Sequence, residues 1–174
     1  MCIPRSYRQW KNNAFLLFIG FLVLFLDQST KWLVSTYLPM VDSSLYWYPY
    51  GGIGVFHNWG GIEFSINHMT NTGAAWGMLG AYPLLLIWTR IGLIIALTIY
   101  LFYINQRPVW RIPLLFVIAG ACGNVIDYFI YGHVVDMFHF VFWGYDFPVF
   151  NIADSAISTG ILFLFLLSSF ENPD

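Results

Sequence analysis

The sequence predicts a membrane all-α fold, four transmembrane helices carrying a small, β-rich, cradle-like insertion outside the membrane. Three observations predict it. Of 174 residues, 59% are hydrophobic and only 9% are charged, far below the roughly 25% of ordinary soluble domains. Such a chain cannot cover a globule with polar surface. Four segments, approximately 14–36, 82–104, 112–131 and 152–170, are apolar over the roughly 20 residues that a helix needs to cross a bilayer core. Between the first two lies a long aromatic stretch, approximately 37–81, with strand-like composition. The length suggests a single membrane domain, 1–174.

Span one resembles a signal peptide in its apolar run, but it lacks a small-residue cleavage site. Asp27 and Lys31 also interrupt its far end, so its retention is expected. Orientation follows from Lys and Arg. Arg5, Arg8 and Lys11 precede span one, Arg107 and Arg111 flank the connection between spans two and three, and the other cations, Lys31 and Arg90, lie within spans. Four crossings put both basic clusters on one side, so both termini are expected in the cytoplasm. The outside then receives 37–81 and 132–151. In the first of these, Trp47-Tyr48-Pro49-Tyr50, Val55-Phe56 and Ile62-Glu63-Phe64-Ser65-Ile66 are punctuated by Gly51-Gly52 and Gly60-Gly61. That pattern predicts a small sheet or hairpin on the membrane surface. The inner connection, Asn105 to Arg111, is too short for a domain. Cys2 and Cys122 are far apart, and neither a disulfide nor a metal cluster is expected. The net charge of −2 offers no basic patch for nucleic acid.

The polar residues inside apolar sequence converge on one side. Asp27 lies roughly 20 Å from the inner end of span one at ~1.5 Å per residue, and Lys31 is one turn further at i+4. Asn124 and Asp127 are near the outer end of span three. Asp136 follows that span, Asn151 and Asp154 open span four, and Asn71 and Gly73 precede span two. Ionisable groups at membrane depth cost roughly 2.5–3.5 kcal/mol on insertion scales and are read as functional by default. Individually each has a plainer role. Asp27 and Lys31 form a stabilising pair, Asn124 an interhelical hydrogen bond, Asn151 an N-cap for span four, and Asp154 a complement to the helix dipole. Taken together they crowd acids into an apolar, outward-facing site, which shifts pKa values and suits acid–base chemistry. In the reading that follows, one carboxylate of the Asp136/Asp154 pair takes a proton from water while the other, protonated, donates to a scissile carbonyl. Asn71, Asn124 or Asn151 hold the substrate backbone or an oxyanion.

Two rivals are weaker. His133, Asp136 and His139, with Asp154, suggest a metal site, but their spacing matches no strong ligand motif. Ser155 and Ser158 lack a clear base and orienting partner. A different class of function, a small proton-coupled transporter, also uses buried acids. Here the acids cluster at one face and form no path across.

The ordered blocks Asp27-Gln28-Ser29-Thr30-Lys31, Asn71-Thr72-Gly73-Ala74-Ala75-Trp76-Gly77, Gly123-Asn124-Val125-Ile126-Asp127 with Gly132-His133-Val134-Val135-Asp136, and Phe150-Asn151-Ile152-Ala153-Asp154-Ser155-Ala156-Ile157 resemble the bacterial lipoprotein signal peptidases, or type II signal peptidases. The resemblance implies an aspartic endopeptidase of the inner membrane with Asp136 and Asp154 as catalytic dyad and its site at the outer face. It implies Asn71, Gly73, Asn124 and Asn151 at the substrate, with Asp27, Lys31, Asp127 and Ala153 in support. It further implies a diacylglyceryl prolipoprotein cut before its lipidated cysteine, membrane lipid as the surrounding partner, inhibition by the cyclic peptide globomycin, no cofactor, and a monomer. Two positions depart from the family pattern. Tyr128 stands where an arginine usually follows the acid, and Trp76 where a phenylalanine is usual. The Tyr128 hydroxyl, or Arg90 snorkelling out of span two, is expected to replace the arginine.

Overall fold

The computed structural model describes residues 5–41, 47–71 and 83–170. Gly73 and Trp76, and with them most of the second sequence block, lie outside the described residues. Four helices form the bundle: α1 (Arg5–Tyr37), α2 (Pro83–Ile99), α3 (Arg111–Tyr131) and α4 (Ile152–Phe170). With their adjoining turns they make four stretches long and apolar enough to cross a membrane: Asn13–Tyr37, Leu84–Ile104 (nearly all of α2 and a π-helical turn), Pro108–Tyr131 (a short 3-10 turn and α3) and Ile152–Phe170. Helix α2 ends in the π-helical turn, Tyr100–Ile104. The Asn105 side chain then accepts from the Arg107 N–H and donates to its carbonyl, both at 3.0 Å, reversing the chain.

Helix α3 is the hub. It packs against α1, α2 and, most extensively, α4. Small residues make the α3–α4 approach possible, as they do wherever membrane helices meet closely. A Cβ on Gly120 would collide with the carbonyl oxygen of Ala153 and the side chain of Ile157, and one on Gly160 would meet Pro113 and Val117. Toward the other end of the bundle, Leu16, Leu101, Leu114, Leu115 and Ile118 form the buried apolar core.

Four antiparallel strands, β1 (Ile53–Trp59), β2 (Ile62–Asn71), β3 (Val134–Phe142) and β4 (Tyr145–Asp146), form one sheet in the order β1-β2-β3-β4. The expected hairpin in 37–81 is β1 and β2. The sheet extends beyond that expectation, because β3 and β4 come from 132–151, read only as a return loop. The strand was hard to see because β3 is covered on both faces, which turns alternation into a nearly continuous apolar run. Val135 and Met137 pack toward Val34 of α1 and Leu38 just beyond it. On the alternate positions, Phe140 stacks on Phe64 with ring centroids 4.3 Å apart, and Phe138 and Phe140 lie against Phe150.

Two local features place β3 over the bundle. Gly132 adopts φ 77° at the end of α3, a left-handed cap that donates to the Tyr128 carbonyl. The chain thus turns into β3 within two residues. At the far side, Phe150 is bridged to Phe138, its carbonyl accepting from the Met137 and Phe138 N–H groups at 3.1 and 2.8 Å. The segment leading into α4 is thereby tied to the strand that bears Asp136.

The close α3–α4 contact generates a paired prediction. Gly120→Leu should abolish recovery of monodisperse protein in detergent or lower its melting temperature sharply, since overpacking a tight contact costs about 1–3 kcal/mol or more. Gly92→Leu, in open space, should melt like the parent. Equal behaviour of the two variants in a thermal-shift assay would contradict this packing.

Candidate active site

The site is built upward from Lys31. Its ammonium group has three donors, and each has an acceptor: Asp27 Oδ2 at 2.8 Å, Asp127 Oδ2 at 2.6 Å and Asn124 Oδ1 at 3.0 Å. Lys31 and Asp127 have no solvent exposure, and Asp27 has 1%. The two carboxylates reach further. Asp27 Oδ1 accepts from the Ala153 N–H at 2.8 Å, satisfying a first-turn donor of α4 that has no partner within its own helix. Asp127 accepts from the Val135 N–H of β3 at 3.2 Å. Gln28 bridges both acids, at 3.1 Å to Asp27 and 2.8 Å to Asp127, and reaches the Gly123 carbonyl at 3.2 Å. One cluster therefore joins α1, α3, α4 and β3.

From this base two asparagine amides point at two acids. With its oxygen on Lys31, Asn124 turns its NH2 to Asp154 Oδ1 at 2.8 Å. The oxygen of Asn151 accepts from the Asp154 N–H at 2.8 Å, so Asn151 is the N-cap of α4. That capping bond orients the amide and sends its NH2 to Asp136 Oδ1 at 2.7 Å, with the Asn124 oxygen and the Val135 carbonyl each at 3.2 Å. The plain capping role and the site role therefore coexist in one side chain. Asn71, at the end of β2 and paired with Val134, donates to Asp136 Oδ2 at 3.4 Å.

The two acids differ in setting. Asp136 is 3% exposed. Burial, and then the neighbouring charge of Asp154, push its carboxyl up to about 7, against the opposing pull of the Asn71 and Asn151 hydrogen bonds and the Lys31 charge. Asp154 is half-buried and lines a cleft of about 600 Å³ together with Asn71, Asn124 and Arg90. Phe147, Pro148, Val149 and Phe150 form another part of the wall, and Ile157, Ser158 and Thr159 continue it along α4. An ionisable pair beside a partly apolar cleft is equipped for acid–base work.

The structure thus brings Asp136, Asp154, Asn71, Asn124 and Asn151 together, and sets Asp27, Lys31, Asp127 and the Ala153 backbone beneath them. The metal constellation does not assemble. On regular β3, Asp136 and His139 are three positions apart and face opposite ways; His139 pairs with Asp146 at 2.7 Å and its ring lies 4.7 Å from that of Tyr50. Among the described residues, no group of three or more His, Cys, Asp or Glu is arranged to hold a metal. Ser155 hydrogen-bonds the Asn151 carbonyl at 2.9 Å. Of Arg90 and Tyr128, the two residues expected to stand in for an arginine, Arg90 lines the cleft and Tyr128 is not part of its wall. Gln28 and Phe150, placed only within the sequence blocks, and Phe147, Pro148 and Val149 had no role assigned from the sequence. Gln28 carried a signal, an amide within the polar run Asp27–Lys31 that interrupts an apolar span.

A family model described as signal peptidase (SPase) II matches residues 19–170. The chain is 38% identical over 162 residues to a lipoprotein signal peptidase of Syntrophus aciditrophicus, covering 86% of this chain and 88% of the relative. It is 36% identical over 168 residues to one of Nostoc punctiforme, covering 92% of each. Two solved structures, both described as a bacterial membrane enzyme, superpose with TM-scores of 0.74 and 0.73. They are 27% and 28% identical, covering 92% and 91% of this chain and 94% and 95% of theirs. The chain belongs to the signal peptidase II family.

Proposed function

We propose that this protein is an intramembrane aspartic endopeptidase that removes the signal peptide from diacylglyceryl prolipoproteins, cutting before the lipidated cysteine. The observation that carries the reading is the pair of amide bridges, Asn124 to Asp154 and Asn151 to Asp136, which hold Asp154 on the cleft wall and the buried Asp136 close behind it. Lys31 pairs with two other carboxylates, Asp27 and Asp127, and Asp136 and Asp154 receive amide hydrogen bonds beside the cleft.

The roles divide by environment. Asp136, with its carboxyl near pH 7, carries the proton, and Asp154, open to the cleft, is the base. Asp154 takes a proton from water as the oxygen attacks the scissile carbonyl, while Asp136 gives its proton to the carbonyl oxygen. The tetrahedral diol then collapses. Asp154 returns its proton to the amide nitrogen, Asp136 takes one from a hydroxyl, and the C–N bond breaks to a carboxylic acid and an amine. Both acids end as they began. Asn71 and Asn124, at the cleft wall, are placed to hold the substrate backbone. The basic ends, Arg5, Arg8 and Lys11 before span one and Arg107 and Arg111 between spans two and three, support a cytoplasmic position for that end of the bundle. The sheet and cleft then lie at the outer face of the bacterial inner membrane, where lipid chains stay in the bilayer and water meets the peptide. All the groups used belong to one chain, in keeping with a monomeric enzyme. The transporter reading has no comparable support, because among the described residues the buried acids cluster at one end of the bundle.

Asp136→Asn and Asp154→Asn should each lower cleavage of a lipidated prolipoprotein by about 10²–10⁴-fold, with folding intact by thermal shift. The unlipidated precursor should be a poor substrate of the parent enzyme. Near-parental rates in either variant, or equal cleavage of the two precursors, would refute the assignment. The pH dependence follows from Asp136. The acid must be protonated, so kcat/KM should fall about tenfold per pH unit above its folded pKa, with the limb at about 7. A profile flat from neutral to strongly alkaline pH would contradict the role of Asp136 as proton donor.

A further inference from the structure

The cleft contains a cation that the hydrolytic steps do not use. Arg90 lies about 10 Å along α2 at ~1.5 Å per residue. A guanidinium in an apolar membrane-length helix is tolerated when it faces a cavity or a partner. Arg90 faces the cleft, on whose wall Asp154, Asn71 and Asn124 also lie. The charges that act on it are the carboxylates of Asp154 and then Asp136. Helix α2 packs on α3, as does α4, and the cleft continues from Asp154 along α4 to Ser158 and Thr159. The guanidinium therefore stands on the wall contributed by α2, with the α4 wall running on from the acids.

Hydrolysis creates a charge that the substrate lacks. Water's oxygen bonds to the carbonyl carbon, the C–N bond breaks, and the amine leaves on the lipidated cysteine. The signal peptide keeps the carboxyl, whose proton passes to the amine or to solvent. This new carboxylate forms beside Asp154 and Asp136, in a cleft whose walls include Phe147, Phe150 and Ile157. Carboxylates crowded in such a site repel one another. A guanidinium offers parallel N–H donors that match a carboxylate in geometry and charge. Arg90 is the cation among the described residues that line this cleft.

We propose that Arg90 binds the carboxylate that cleavage leaves on the departing signal peptide, so that the cleft recognises its product by that charge. The proposal rests on the protease reading above and adds a ligand class, a peptide carboxylate, to the same cleft. It makes Arg90 a determinant of product retention and so of turnover.

The test compares two fluorescently labelled synthetic peptides with the sequence of a bacterial prolipoprotein signal peptide ending just before its cysteine. One carries a free C-terminal carboxylate and the other a carboxamide. Their binding to the intact protein in detergent micelles is read by anisotropy at neutral pH. The carboxylate form should bind at least about tenfold tighter, the scale of a charge-assisted bidentate pair. Arg90→Gln should erase that ratio by weakening the carboxylate form, and Arg90→Lys should retain part of it as a point charge. Equal binding of the two peptides to the parent protein overturns the proposal whatever the variants do, as does an unchanged ratio in Arg90→Gln. Failure of the protease reading appears separately, as no cleavage of a lipidated prolipoprotein.

Discussion

Burying an ammonium group beneath the sheet obliges the surrounding side chains to supply what water would have supplied. Lys31 is fully enclosed, and Asp27, Asp127 and Asn124 provide its three acceptors. Removing one partner of such a pair leaves an uncompensated charge and costs about 3–5 kcal/mol. The partners are also structural anchors. Asp27 holds the first turn of α4 through the Ala153 N–H, and Asp127 holds the start of β3 through the Val135 N–H. The ends of three helices and a strand are therefore positioned by a single charge.

This arrangement determines the direction of the amides above it. An asparagine side chain has one accepting and one donating end, and either can face an acid's surroundings. Lys31 takes the oxygen of Asn124, and the α4 N-terminus takes the oxygen of Asn151. What remains on each is a donor, and each donor meets an aspartate. Asp136 and Asp154 thus receive hydrogen bonds from neutral amides, which is compatible with a proton residing on the pair. Replacing the amides by lysines would pin both acids as carboxylates and remove the donor.

Much of this was legible in the chain. Apolar runs near 20 residues read directly as helices. The Asp27–Lys31 pair was visible from its i, i+4 spacing, and Asp136 and Asp154 from the convergence of costly groups at one end. Three things were hidden, each for a physical reason. Strand β3 has both faces covered, so its alternation vanishes into Val134-Val135-Asp136-Met137-Phe138. The pairing of each asparagine with a particular acid depends on what takes its oxygen, Lys31 for Asn124 and the α4 N-terminus for Asn151, which spacing does not encode. The placement of Arg90 depends on the rotation of α2, a helix apolar on nearly every side, whose sequence gives no preferred face.

The central claim is that one proton resides on the dyad and that Asp136 holds it. Infrared difference spectroscopy across the neutral pH range reads this directly through the stretch of a protonated carboxyl group. The account predicts one such band in the folded protein, lost as pH rises through about 7 and absent from the Asp136→Asn variant. A band that persists unchanged in Asp136→Asn, or a parent protein with no carboxyl titrating near neutrality, would contradict it.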